Sequence, residues 1–178
     1  MMTVCQYHVG AIGAVRQACI NQVRTNLPVG VGYELIAESV QIIPHHRALI
    51  DSQTIRRTSG LVRLTLLMQD PNRIWIDTDI KIRSWPDLKE NQTYLAGGSC
   101  PACFLKFDNR LDPARIQKII EEFAKTDLMC PHHWLYALPH ELIPESCFEH
   151  FKLSNCSLCR YSSIIPHLPL QPVIIPPR

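Results

Sequence analysis

The residues with the most chemical potential in this chain are its cysteines and the histidines near them. Eight cysteines occur, Cys5, Cys19, Cys100, Cys103, Cys130, Cys147, Cys156 and Cys159, with none between Cys19 and Cys100. Four pairs share a two-residue gap: Cys100 with Cys103, Cys130 with His133, Cys147 with His150, and Cys156 with Cys159. That gap lets one tight turn present two thiolate or imidazole ligands, and tetrahedral zinc takes four. The eight residues together would close two structural zinc sites. The same even, clustered count equally suits a disulfide framework in an oxidising compartment. A redox role for the Cys-x-x-Cys pairs is set aside, because neither opens a helix after a buried strand.

Other catalytic signatures are missing. There is no phosphate-binding glycine loop, no Gly-x-Ser-x-Gly elbow and no His-Glu-x-x-His. The pairs His45-His46 and His132-His133 have no third ligand at a recognisable spacing. With no nucleophile–base pair in view, a binding protein is expected rather than an enzyme. The formal net charge of +2 argues against a nucleic-acid surface, and Arg56-Arg57 is the densest basic spot. No apolar run approaches the roughly 18 residues of a membrane span. The short apolar run Val9 to Val15 lacks a basic segment before it and ends at Arg16, so it does not read as a signal peptide. Two sequons, at Asn91 and Asn155, are candidate glycosylation sites if the chain is secreted.

The elements that must position these groups follow from periodicity. Ala11 to Val23 reads as a short helix ended near Leu27-Pro28. Strands are expected at Val31–Ile43, Ala48–Ile55, Leu61–Met68, Ile74–Ile82 and Tyr94–Ala96, separated by turn residues such as Asp70-Pro71-Asn72 and Trp85-Pro86-Asp87. Along Ile74–Ile82 the isoleucines alternate with Trp75, Asp77, Asp79 and Lys81, the pattern of a half-buried strand. Such a series of strands without intervening helices predicts a mainly β fold, a five-stranded OB-like barrel over residues 29–98. A helix over 112–126 follows, with Asp112 as N-cap, Pro113 at its first position, and an apolar stripe of Ile116, Ile119, Ile120 and Phe123. The expected organisation is therefore a barrel with its closing helix over 1–128, a small Cys/His-rich subdomain over 129–163, and a proline-rich tail over 164–178.

The segments Arg73-Ile-Trp-Ile-Asp-Thr-Asp79 and Trp85-Pro-Asp-Leu-Lys-Glu-Asn-Gln-Thr-Tyr-Leu-Ala-Gly-Gly98 resemble the signature strand and turn of netrin-like domains. The stretch Ile143-Pro-Glu-Ser-Cys-Phe-Glu-His-Phe151 is similar to a cysteine-plus-aromatic segment of tissue inhibitors of metalloproteinases. The resemblance spans roughly residues 19–151 and rests on strand pattern, one short motif and cysteine order. It implies disulfides Cys5–Cys103 and Cys19–Cys130, no cofactor, secretion, and a protein partner such as an extracellular protease. The family's N-terminal Cys-x-Cys is absent, since the chain opens Met1-Met2-Thr3-Val4-Cys5. Inhibition directed at a protease zinc is therefore compromised. The alternative left by the residues alone is an intracellular adaptor, cytoplasmic or nuclear, that holds two zinc ions and binds protein or nucleic acid.

Overall fold

The computed structural model describes residues 1–38, 52–97, 101–126 and 130–150. The elements run β1 (Thr3–Val9), α1 (Ala14–Thr25), β2 (Gly32–Glu38), α2 (Ser52–Gln69), β3 (Arg73–Ile76), β4 (Ile80–Ile82), β5 (Tyr94–Ala96), β6 (Phe104–Lys106), α3 (Pro113–Ala124), α4 (His132–Leu135), β7 (Glu141–Ile143) and β8 (Phe148–His150). Six strands form one sheet in the order β2-β1-β3-β6-β5-β7, and β4 pairs with β8 in a separate two-stranded sheet. Strands β1, β2 and β3 are parallel, β6 runs against β3 and β5, and β7 is parallel to β5.

The expected OB-like barrel is thus replaced by a mixed α/β architecture built on a mostly parallel sheet. The largest reassignment is Leu61–Met68, which lies within helix α2 instead of forming a strand. Leu, Val, Thr and Met fill almost every position there, so the segment satisfies a period of two as well as one of 3.6. Burial resolves the ambiguity, because Gly60, Arg63, Leu64 and Leu67 are buried at i, i+3, i+4 and i+7. The expected strand Val31–Ile43 is realised as β2 over Gly32–Glu38. The segment expected as a strand over Ala48–Ile55 lies partly outside the described residues, and from Ser52 onward it is α2.

Both faces of the sheet are covered, as a parallel sheet requires. On one face Cys5, Tyr7, Trp75, Leu95 and Leu105 pack against Leu64 and Leu67 of α2 and Ile116, Ile119 and Phe123 of α3. On the other, Val4, Ile74, Ile76, Tyr94 and Phe104 pack against Val23 of α1, Ile80 and Ile82 of β4, and Phe148 of β8. Helix α3 forms as its sequence predicts: the Asp112 side chain accepts a hydrogen bond from the Ala114 N–H, with Pro113 at the first position. Residues 130–150, the described part of the expected Cys/His-rich subdomain, instead extend this body. Leu135 and Leu138 join one core, Ile143 and Phe148 the other, and β7 adds a strand to the main sheet. The proline-rich segment 164–178 lies outside the described residues.

Lys106 is buried within the sheet, and its ammonium donates to the carbonyls of Glu90, Gln92 and Phe107 at 2.8, 3.2 and 3.0 Å. Burial holds its pKa below the ordinary lysine value. The three carbonyls tie the segment before β5 to β6.

Helices α2 and α3 meet where Gly60 allows it. A Cβ at Gly60 would sit 2.9 Å from Cε1 and 3.2 Å from Cζ of the fully buried Phe123 ring. Alanine at a helix interior normally gains about 1 kcal/mol over glycine. Here Gly60→Ala is expected to cost about 1–3 kcal/mol, because the overpacking strain exceeds that gain. Gly13→Ala meets nothing within 4 Å and is expected to leave stability nearly unchanged. Urea unfolding of the two variants checks the contrast.

Candidate functional site

Strand β1 lies between β2, which follows it in the chain, and β3, which comes later on its other side. The chain therefore reverses its direction of winding at β1. With right-handed crossovers, the reversal sends the connecting helices to opposite faces, consistent with α1 on one face and α2 on the other. In open α/β sheets ligands bind at such a point, in the crevice beyond the carboxyl ends of the strands. In this chain that place is bordered by the loop after β1 and by Asp77-Thr78-Asp79 after β3.

The sequence pattern predicts a continuous strand through Asp77 and Asp79. Instead, β3 stops at Ile76, the chain turns through Asp77–Asp79, and β4 departs into the second sheet. The turn is closed by the Ile80 N–H, which donates to the Asp77 carbonyl at 3.3 Å. Thr78 is buried, while both aspartates reach partial solvent exposure. Beyond the turn, the Gln22 side chain on α1 bonds both the N–H and the carbonyl of Ile82, holding β4 as a neighbouring strand would.

Asp77 is fixed at both its backbone and its side chain. Its N–H donates to the Cys103 carbonyl at 2.8 Å, and its carbonyl also accepts from Gln6 Nε2 at 3.2 Å. Oδ1 accepts from Arg63 Nη2 at 2.7 Å and from Trp75 Nε1 at 2.6 Å. The Arg63 guanidinium also lies over the Trp75 ring, 4.9 Å from its centroid. Its side chain is only 7% exposed against 23% for Asp77, so the buried cation depends on this carboxylate for charge compensation.

On the other border, His8 is buried, and its Nε2 pairs with the Ala11 carbonyl at 3.1 Å to fold back the loop after β1. Gly10 takes a positive φ of 86° in that loop. Helix α1 then starts after Gly13, and no side chain caps it. Its first-turn N–H groups and positive dipole end are the kind of feature that receives anions. A separate cavity of about 190 Å³, lined by Leu67, Met68, Pro71, Phe107 to Pro113, and Ile116, lies at the opposite end of β3. Its Asp108 is held below the usual carboxylate range by the hydrogen bond from Arg110.

The cysteines do not come together as expected. Cys5 and Cys19 are buried free thiols, so neither Cys5–Cys103 nor Cys19–Cys130 forms. Topology gives the reason. Cys5 faces the α2–α3 side of the sheet and Cys103 the opposite side. Cys19 is on α1, whereas Cys130 precedes Pro131, which packs beside Gly60 of α2. Among the described residues no group of three or more His, Cys, Asp and Glu side chains could hold a metal ion. Of the proposed zinc ligands, Cys103 is buried, Cys130 and Cys147 are half-buried, and His133 is exposed on α4 against Trp134. Cys100, Cys156 and Cys159 lie outside the described residues, as do the His150 side chain and the sequon Asn155. Of the histidine pairs, His45-His46 also lies outside, while His132 is buried. Asn91 is exposed in a turn. Among the described residues no helix is long and apolar enough to cross a membrane.

No family model matches the sequence, and neither does any curated protein. A solved structure does: a glycosyltransferase involved in the glycosylation of the major capsid of PBCV-1, at a TM-score of 0.53 and 10% identity, covering 89% of this chain and 99% of that one. The fold is similar to that of a glycosyltransferase. The expectation of a non-enzyme, drawn from missing motifs, is corrected to this extent: the likeness is one of fold, and the solved structure that shares the fold is an enzyme. The OB-like barrel that the netrin-like resemblance implies is absent, and the resemblance is not carried further. Asp77 and Asp79 were read as the solvent face of a strand. The available signal was two carboxylates flanking one small residue directly after the apolar run Ile74-Trp75-Ile76.

Two outcomes are expected. Removing the guanidinium in Arg63→Met, which keeps the packing over Trp75, should destabilise the fold by about 1–3 kcal/mol, because Asp77 loses a short charged hydrogen bond; thermal or urea unfolding measures this. Burial pushes the Cys5 thiol up to about 12 from an ordinary value of 9.0. The native state thus keeps a proton that the unfolded chain releases above pH 9, and stability falls as pH rises from 9 toward 12, by at most about 1.4 kcal/mol per pH unit from this group. Cys5→Ala should show a shallower alkaline fall in urea titrations at stepped pH.

Proposed function

We propose that the chain is a glycosyl-transfer enzyme that binds a nucleoside-diphosphate sugar in the crevice beyond β1 and β3. The observation that carries this reading is the turn Asp77-Thr78-Asp79, which sets two partly exposed carboxylates at the switch point of the sheet. The fold likeness to a glycosyltransferase supports it.

The donor set fits a hard divalent cation. Both side chains offer carboxylate oxygens, which suit magnesium or manganese. Such ions are commonly bound through one or two carboxylates together with substrate phosphates, so two protein ligands suffice. Asp77 and Asp79 would hold the cation, and when bound it would neutralise the charge that gathers on the leaving diphosphate. The chain's own residues do the rest. Arg63 and Trp75 orient the Asp77 carboxylate through its Oδ1. The uncapped start of α1 supplies N–H donors for phosphate oxygens on the β1 side. In the transfer, the bond between the sugar's anomeric carbon and the diphosphate oxygen breaks, and the electron pair leaves with the diphosphate. The acceptor hydroxyl forms the new bond to that carbon, and its proton passes to the departing diphosphate or to solvent.

Calorimetry with uridine and guanosine diphosphates, in manganese and in EDTA, tests the proposal, alongside turnover of a panel of nucleoside-diphosphate sugars. Cation-dependent binding of at least one nucleotide is expected, and Asp79→Asn should abolish it with the circular dichroism spectrum unchanged. Absence of nucleotide binding across the panel, or binding equally strong in EDTA, would remove the basis for this function.

A further inference from the structure

Resting on that reading, we infer that Gln6 and Tyr33 are positioning residues for the cation site, acting through the backbone of Asp77. Gln6 lies in the middle of β1 and is fully buried. On its face of the sheet the neighbouring strands present Ile74, Ile76, Tyr94 and Phe104. An amide in such surroundings costs stability unless its polar atoms are hydrogen-bonded, whereas an apolar residue would fill the space without that condition.

Both ends of this amide are engaged. The Tyr33 hydroxyl, reaching across from β2, donates to Oε1 at 2.7 Å, and Nε2 donates to the Asp77 carbonyl at 3.2 Å. The two bonds depend on each other. With Oε1 occupied by the Tyr33 donor, Nε2 is directed at Asp77. A rotated amide would set Oε1 against the Asp77 carbonyl, acceptor against acceptor.

The carbonyl reached in this way also closes the Asp77–Ile80 turn that separates the two carboxylates. The Asp77 side chain is anchored from the α2 face by Arg63, and its N–H by the carbonyl of Cys103 in the short turn before β6. The Gln6–Tyr33 pair contributes the third support, from the β1–β2 side. Fixing the carbonyl fixes the angle at which the chain leaves β3, and with it the placement of Asp79 relative to Asp77. Partners one step behind metal ligands commonly change metal affinity by 10–100-fold when removed.

The test uses the full chain and manganese alone as probe, with the dissociation constant and the line shape of the bound ion read by electron paramagnetic resonance. Tyr33→Phe and Gln6→Met are each expected to weaken manganese about tenfold and to alter the bound-ion spectrum. Ile116→Ala, which truncates a buried side chain on α3 beside the cavity at the opposite end of β3, loses stability away from the turn and should keep both at wild-type values, separating positioning from general destabilisation. If Gln6→Met does not fold, Tyr33→Phe decides alone, since it removes one oxygen atom from a half-buried ring. Wild-type affinity and spectrum in Tyr33→Phe overturn the inference, as does an equal loss in Ile116→Ala. Failure of the wild-type chain to bind manganese sinks the cation site itself, a result distinct from wild-type binding that the variants leave intact.

Discussion

Strand β1 has a hydrogen-bonded parallel neighbour on each edge and buried side chains on both faces, and this double engagement organises the molecule. Its pairing with β2 runs the full length of both strands, from Thr3 opposite Gly32 to Val9 opposite Glu38. Its pairing with β3 covers Thr3 to Cys5. A strand in that position tolerates few polar side chains, and those present are tied to specific partners: Gln6 to Tyr33 and Asp77, His8 to Ala11. Because β1 is where the winding reverses, the same pairing that closes the core also creates the crevice beyond it. Core and site are consequences of one topological choice.

The site is held more firmly than a surface turn usually is. Asp77 is anchored from α2 through Arg63, from β3 itself through Trp75, from the turn before β6 through the Cys103 carbonyl and from β1 through Gln6. Four elements thus converge on one residue, and the second carboxylate follows two positions later on a chain already fixed in direction. Preorganised charge of this kind costs nothing to rearrange when a ligand arrives.

Much of the architecture was legible where a residue's local chemistry has one outcome. Asp112-Pro113 can scarcely be anything but a helix start, and α3 begins there. The helix near Ala11–Val23 and the strand Tyr94–Ala96 were likewise readable, and appear as α1 and β5. Leu61–Met68 was not, since a run apolar at nearly every position carries no phase, and the choice falls to tertiary burial. Misreading α2 as a strand removed the crossover between β2 and β3, and with it the parallel sheet. The Asp77–Asp79 turn escaped for a related reason. Ile76, Thr78 and Ile80 are all buried, so the period of two continues straight through the bend. The cysteine spacings misled because matching gaps along the chain say nothing about which side of a sheet each residue faces, and Cys5 and Cys103 face opposite sides.

The contacts that shape the turn are remote in sequence: 71 residues separate Gln6 from Asp77, and 60 separate Gln22 from Ile82. Closing loops of that length carries an entropic cost. The placement of the two carboxylates depends on the amino-terminal strand and helix being docked onto β3 and β4. An unfolded chain carries the same two aspartates without the arrangement. Assembly of the site is in this sense a checkpoint on the fold, passed only by chains whose first and middle thirds have found one another.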